Sequence, residues 1–112
     1  AAKDYTRQSV SVIGSLKDDE YAYLVDNLVD GVRVHLATGN RRCVLVCYSS
    51  YNMEMAAYAL RNYKLRVACT RHSFDLLAVA DDRNLDVVMP NDDNFFKSGI
   101  RKRIYKASEL LD

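Results

Sequence analysis

The chain is short of the residues that bend or mark a backbone: four glycines, one proline and no tryptophan among 112 residues. With glycine this scarce, neither GxxxxGK[ST] nor GxGxxG occurs, and nucleotide cradling by a glycine-rich loop is not expected. No stretch of eighteen apolar residues and no signal or transit pattern is present, so no membrane partner is expected. Histidine is scarce too. His35 and His72 have no second histidine at metal-binding spacing, and neither a metal nor a cofactor is expected. Charge of neither sign dominates: sixteen basic and fifteen acidic residues leave +1, too little for a global field that draws in polyanions. The three cysteines, Cys43, Cys47 and Cys69, are an odd set. Two lie within apolar runs that read as strands, which predicts buried free thiols. Cys43 and Cys47 on one strand would stand roughly 13 Å apart, too far to bridge or to share a zinc. This usage suits an intracellular, reducing compartment, cytoplasm or nucleus. The first residues, AAKD, lack a methionine and read as the start of a processed product or of a domain from a longer polypeptide.

What the chain does have is enough apolar material, 49% of residues, for the core of one domain without disulfides or metal. Residues 1–112 read as a single α/β domain, with 1–16 irregular or a short edge strand suggested by the alternation in SVSVIG. DDEYAYLVDNLV spaces Tyr21, Leu24, Val25, Leu28 and Val29 as one helical face. Its leading acids suit a helix N-terminus, which predicts a helix from about residue 17 to Ala37, ended by Gly39 and Asn40. RRCVLVCYSS follows, a short apolar run bounded by polar residues, the pattern of a strand buried on both faces. MEMAAYALRNY reads as helix, LRVAC as strand, FDLLAVADD as helix, LDVVM as a strand stopped by Pro90, and 94–112 as mostly helix with an extended stretch near 101–105. Strands alternating with helices imply right-handed βαβ crossovers. The expected fold is a three-layer α/β sandwich, a small mostly parallel sheet of three or four strands flanked by helices.

Two resemblances follow from these segments. The order of VLVCYSS, LRVAC and LDVVMPND resembles the second RecA-like lobe of superfamily 2 helicases. The later motifs, with their glycine and paired arginines for ATP, are absent, and the resemblance implies a degenerate, non-hydrolysing lobe. LDVVMPNDD also resembles the phosphoacceptor stretch of receiver domains, with Asp86 at the acceptor position. The acidic pair those domains carry after the first strand is replaced here by Tyr48 and Ser49.

In open α/β sheets, ligands bind beyond the carboxyl ends of the strands. The expected contact loops are therefore Tyr48, Ser49, Ser50, Tyr51 and Asn52 after the first apolar run, His72 and Ser73 after the second, and Asp92 and Asp93 after the third. Each hydroxyl or amide here also suits an ordinary helix N-cap. The alternative use of the turn at 49–52 is to offer helix-terminal amides to a phosphate, with Tyr48 or Tyr51 stacking beside it. The charges are unevenly distributed. Residues 41–80 carry six basic and two acidic groups, and IRKRIYK at 100–106 is a compact basic cluster. Arg71, Arg101, Lys102, Arg103 and Lys106, with Tyr105 interleaved, are the candidate nucleic-acid contacts, because cations neutralise phosphates and aromatic rings stack on bases. The expected function is a non-catalytic binding module contacting the backbone of RNA or DNA, or part of a nucleoprotein assembly. The first alternative is a protein-interaction domain docking on a protein partner or on a larger parent polypeptide. A degenerate helicase-lobe-like or receiver-like regulatory domain is a further alternative. Catalysis through His72 and the loop of Asp92 and Asp93 is the least favoured.

Overall fold

A computed structural model of the chain describes residues 9–92, 94, 95 and 99–111. The elements are β1 (Ser11–Ile13), β2 (Ala22–Val25), α1 (Leu28–Ala37), β3 (Val44–Val46), α2 (Ser50–Ala59), β4 (Leu65–Ala68), α3 (Phe74–Asp82), β5 (Asp86–Val88), β6 (Tyr105–Lys106) and α4 (Ala107–Leu111). The α/β class is as expected. The sheet is larger and mixed: six strands in the order β1-β3-β2-β4-β5-β6. Its inner four strands are parallel, and β1 and β6 pair antiparallel at the two edges.

The first correction concerns residues 17–37. Instead of one helix they form a strand, a turn and a helix. All four residues of AYLV in β2 are buried, between β3 on one side and β4 on the other. Asn27 then starts α1: its Oδ1 accepts from the Asp30 amide at 2.9 Å and its Nδ2 donates to the Asp30 carboxylate at 3.1 Å. This reciprocal cap satisfies an amide that the first helical turn leaves without a partner. The apolar residues before and after the turn fall by coincidence into helical phase, which is why spacing alone joins them.

The second correction concerns the C-terminal region, expected to be mostly helix. After Pro90 the chain doubles back. Pro90 and Ile100 form an antiparallel bridge, the Asn91 amide donates to the Gly99 carbonyl at 3.0 Å, and the Arg101 amide donates to the Met89 carbonyl at 2.8 Å. The return lays β6 beside β5, and among the described residues after Pro90 the five of α4 alone are helical.

The sheet divides two cores. Leu24, Leu45, Val67 and Val87 point toward α2, α3 and α4, where Met53, Leu76, Leu77 and Ala107 meet them. Tyr23, Val25, Val44, Val46 and Val88 point the other way, toward Val34 of α1 and Phe95. Cys43, Cys47 and Cys69 are all buried and free. The chain between β3 and β4 crosses over β2, so the inner strands reverse direction of winding at β2, the arrangement of a doubly wound sheet.

Helix α1 sits on the sheet through its smallest residue. A Cβ at Gly31 would lie 2.7 Å from Cγ2 of Val46 and 3.2 Å from Cδ1 of Ile13. Its large apolar residues, Leu28, Val29, Val32 and Leu36, face away from the core and stay exposed. Replacing an exposed helical glycine by alanine ordinarily stabilises a helix by up to about 1 kcal/mol. At Gly31 the added methyl meets two packed side chains, and overpacking of this kind costs about 1–3 kcal/mol. Gly31→Ala is therefore expected to lower the denaturant midpoint relative to wild type; a raised midpoint would show that the contact is loose.

Candidate functional site

Because β2, β3, β4 and β5 run parallel, their carboxyl ends open on one rim. Residues 26–27, 47–49, 69–73 and 89–92 follow those ends in turn. The rim is electrostatically divided.

Around the end of β2, between β3 and β4, it is acidic. Asp26 follows β2, Asp30 lies in the first turn of α1 and Asp75 in the first turn of α3. Burial pushes the Asp26 carboxyl above its usual range, and the charges of Asp75 and Asp30 add to the shift, against a hydrogen bond with Asn27 that lowers it. The neighbouring thiols respond to the same field. Burial first, then Asp26, pushes Cys47 up to about 12, and burial, then Asp75 and Asp30, pushes Cys69 up to about 12. These thiols are neutral and unreactive in the folded chain.

At the β3 end the serines and asparagine serve the fold. Ser49 is the N-cap of α2, its Oγ accepting from the Asn52 amide at 3.1 Å. Ser50 opens the helix and lines a groove with Tyr51 and Glu54. Asn52, expected as a ligand contact, is only 3% exposed. Its Nδ2 donates to the carbonyls of Cys47 at 2.9 Å and Ser9 at 3.3 Å, so it braces the turn from within. Tyr48 adopts φ +70°, unusual for a bulky side chain. Its hydroxyl lies 2.7 Å from Oγ of Ser11 on the edge strand. Tyr48 and Tyr51 are about half exposed, two strand positions, about 10 Å, from the end of β4.

At the other end the rim is basic. A cavity of about 390 Å³ is lined by Thr70, Arg71, His72, Pro90, Asp92 and Arg101 among others. A second, of about 410 Å³, is lined by Arg71, His72, Phe74, Arg103, Tyr105 and Glu109 among others. The two share Arg71 and His72, so Arg71, Arg101 and Arg103 converge on one cleft although thirty positions separate the first two in sequence. The return of the chain after Pro90 brings them together. Arg101 is held in place by two bonds, from Nε to the Pro90 carbonyl at 2.8 Å and from Nη1 to the Tyr105 hydroxyl at 3.1 Å. Arg103 lies over the Tyr105 ring, 4.5 Å from its centroid. Tyr105 is itself buried, so it positions two arginines and presents no open face for stacking. His72 is exposed, its amide donating to Oγ1 of Thr70 at 3.4 Å. Ser73 precedes α3, and its Oγ lies 3.1 Å from that of Thr70.

The remaining candidates are dispersed. Lys102 is exposed in the turn before β6. Lys106 pairs with Asp86 at 2.8 Å, and that carboxylate raises the lysine's pKa. Asp86 is the first residue of β5, at the end of the strand away from the rim, so it does not occupy the position of a strand-end phosphoacceptor. Asp92 lines the first cavity, and Asp93 lies outside the described residues. Among the described residues, no group of three or more His, Cys, Asp and Glu side chains could hold a metal ion, and no helix is long and apolar enough to cross a membrane.

Two rim residues escape the sequence reading. Phe74, read only as part of the helix FDLLAVADD, is 60% exposed on the wall of the second cavity. At 100° per residue it stands about 140° from the centre of the face formed by Leu76, Leu77, Val79 and Ala80, so a helical wheel carries the signal. Asp26 was hidden by the merging of β2 into α1. No known protein family matches the chain, and neither a curated protein nor a solved structure matches it.

The electrostatics of Asp26 have a measurable consequence. With its folded pKa raised above the ordinary 3.8, the folded state holds this proton more tightly than the unfolded chain does. The group therefore lowers stability as pH rises through the raised pKa and has no such effect at pH well below 3.8. Asp26→Asn is expected to unfold at higher denaturant concentration than wild type at neutral pH, with the difference shrinking as the pH is lowered toward the carboxylate range. An equal midpoint at neutral pH would contradict this.

Proposed function

We propose that the chain is a non-catalytic binding module that holds the backbone of a nucleic acid, alone or within a nucleoprotein assembly, in the basic cleft over β4, β5 and β6. The supporting observation is the convergence of Arg71, Arg101 and Arg103 on two adjoining cavities, with exposed Phe74 on the wall of the second. Guanidinium groups bond phosphate oxygens in a fixed fork, and an open aromatic ring beside them offers a surface for a base. The acids favour the same cleft. A phosphate approaching Asp26, Asp30 and Asp75 is repelled, so the polyanion is confined to the side of α3 that carries Phe74. Glu109, a carboxylate in the second cavity, faces Arg103 at 3.4 Å and accepts from the Lys106 amide at 3.2 Å. It serves as a brace for the arginine, which suits a holding site better than one that moves protons.

The test is binding of a fluorescent single-stranded oligonucleotide, RNA or DNA, followed by polarisation across a salt series. Each phosphate contact on a single strand contributes about −0.7 to the slope of log K against log salt. Arg71→Ala and Arg103→Ala are each expected to weaken binding and flatten the slope by about that amount. Phe74→Ala is expected to weaken binding by about 1–3 kcal/mol with the slope unchanged. Lys106→Ala, which removes a side chain paired with Asp86 and lining neither cavity, is expected to alter neither. No binding at low salt, or binding indifferent to salt, would refute the reading.

A further inference from the structure

A carboxylate in the wall of a cleft that holds a polyanion costs affinity through repulsion, unless the ligand brings hydrogen-bond donors to it. Glu109 is such a group. It lines the second cavity together with Arg71, His72, Arg103 and the exposed ring of Phe74. Its place is fixed from the backbone. Glu109 is the third residue of α4, and its Oε2 accepts from the Lys106 amide at 3.2 Å, the reach of an acidic side chain back to the residue before its helix. The bonds from Nη2 of Arg103 are long, 3.4 Å to Oε1 and 3.5 Å to Oε2. A carboxylate offers about four lone-pair positions, so both oxygens of Glu109 can accept from a ligand while the cap stays in place.

We propose, on the footing that a single strand lies in the cleft, that the second cavity is a guanine pocket. The base stacks on Phe74, and its N1–H and 2-amino group donate to the two oxygens of Glu109. Arg71 and Arg103 are left to the flanking phosphates. The chemistry of the base edges carries the choice. Guanine alone among the common bases sets two N–H donors side by side on its Watson–Crick edge. Adenine and cytosine place an amino group beside a ring nitrogen that accepts, and uracil and thymine place one N–H between two carbonyls. Each of those four turns a lone pair toward one of the carboxylate oxygens. A base unstacked from a single strand exposes this edge to a protein. The cavity, about 410 Å³, lies within the size range of sites that enclose small molecules. The stacking ring and the acceptor are also held in fixed relation. Phe74 opens α3 and Glu109 belongs to α4, and the two helices share one core through Leu76, Leu77 and Ala107.

The test uses fluorescent uridine oligonucleotides carrying one central guanosine, inosine or adenosine, with polarisation read at one low salt concentration. Wild type should hold the guanosine strand about 5- to 150-fold tighter than the all-uridine strand, the worth of one bidentate base contact. The adenosine strand, whose purine stacks equally well, should fall short of the guanosine strand. Inosine keeps O6 and N7 but lacks the 2-amino group, and its strand should bind between the guanosine and uridine strands. Glu109→Gln retains an oxygen to cap α4 and replaces the other acceptor by an amide donor. It should bring the guanosine and uridine strands to the same affinity. A Glu109 that only braced Arg103 would shift every strand together when substituted. The proposal is overturned if wild type binds guanosine and uridine strands equally, or if the preference survives Glu109→Gln. It is overturned too if inosine binds as tightly as guanosine, which would place the recognition at O6 and N7 with an arginine. Equal binding with the salt slope intact removes the guanine pocket and leaves the cleft standing, whereas failure of every strand to bind removes both.

Discussion

Everything positioned in this molecule depends on the burial of β2 between two parallel neighbours. A strand covered on both faces and bonded along both edges leaves no backbone group without a partner. It also forces long crossovers, since parallel strands cannot be joined by tight turns. Those crossovers are the helices, and each one begins where a strand has just ended. The polar loops therefore gather at one rim because of the direction of the strands, before any side chain has been chosen for a ligand.

That direction explains which parts of the design are legible in the amino-acid order. VLV and DVV are nearly pure apolar runs, as a doubly covered parallel strand requires, and they are visible without coordinates, as is LRVA. The run in β2 is equally apolar, but only Asp26 and Asn27 separate it from a helix whose outer face is also apolar. Neither periodicity nor composition marks the break. The sign that does is the cap: Asn27 with Asp30 three residues later. The edge strands are two and three residues long, too short for any period to register.

The candidate site was legible as composition and not as geometry. Arg71, Arg101 and Arg103 meet because the chain reverses after Pro90, a long-range event with no local signature beyond the proline itself. Residues adjacent in sequence part company for the same reason. Arg103 and Lys106 belong to one basic run, yet one turns to the cleft and the other to Asp86. Tyr105, between them, is consumed in holding Arg101 and Arg103. Asn52 and Ser49, which look like ligand groups in isolation, are needed by the first turn of α2. The start of α3 divides the rim: Phe74 projects into the basic side and Asp75 into the acidic side, so consecutive residues of one helical turn separate two fields of opposite sign.

The joint at Tyr48 has a mechanical side. Edge strand β1 begins at the rim, where Ser11 meets the Tyr48 hydroxyl and the Ser9 carbonyl accepts from the buried Asn52 amide. Tension on the chain ahead of Ser9 would load the turn entering α2 through the Ser9 bond to Asn52 before it reached the ladder that starts at Ser11. The edge strand is therefore a lever on the rim, and a pull on it would first disturb the turn that Asn52 braces through the Cys47 carbonyl.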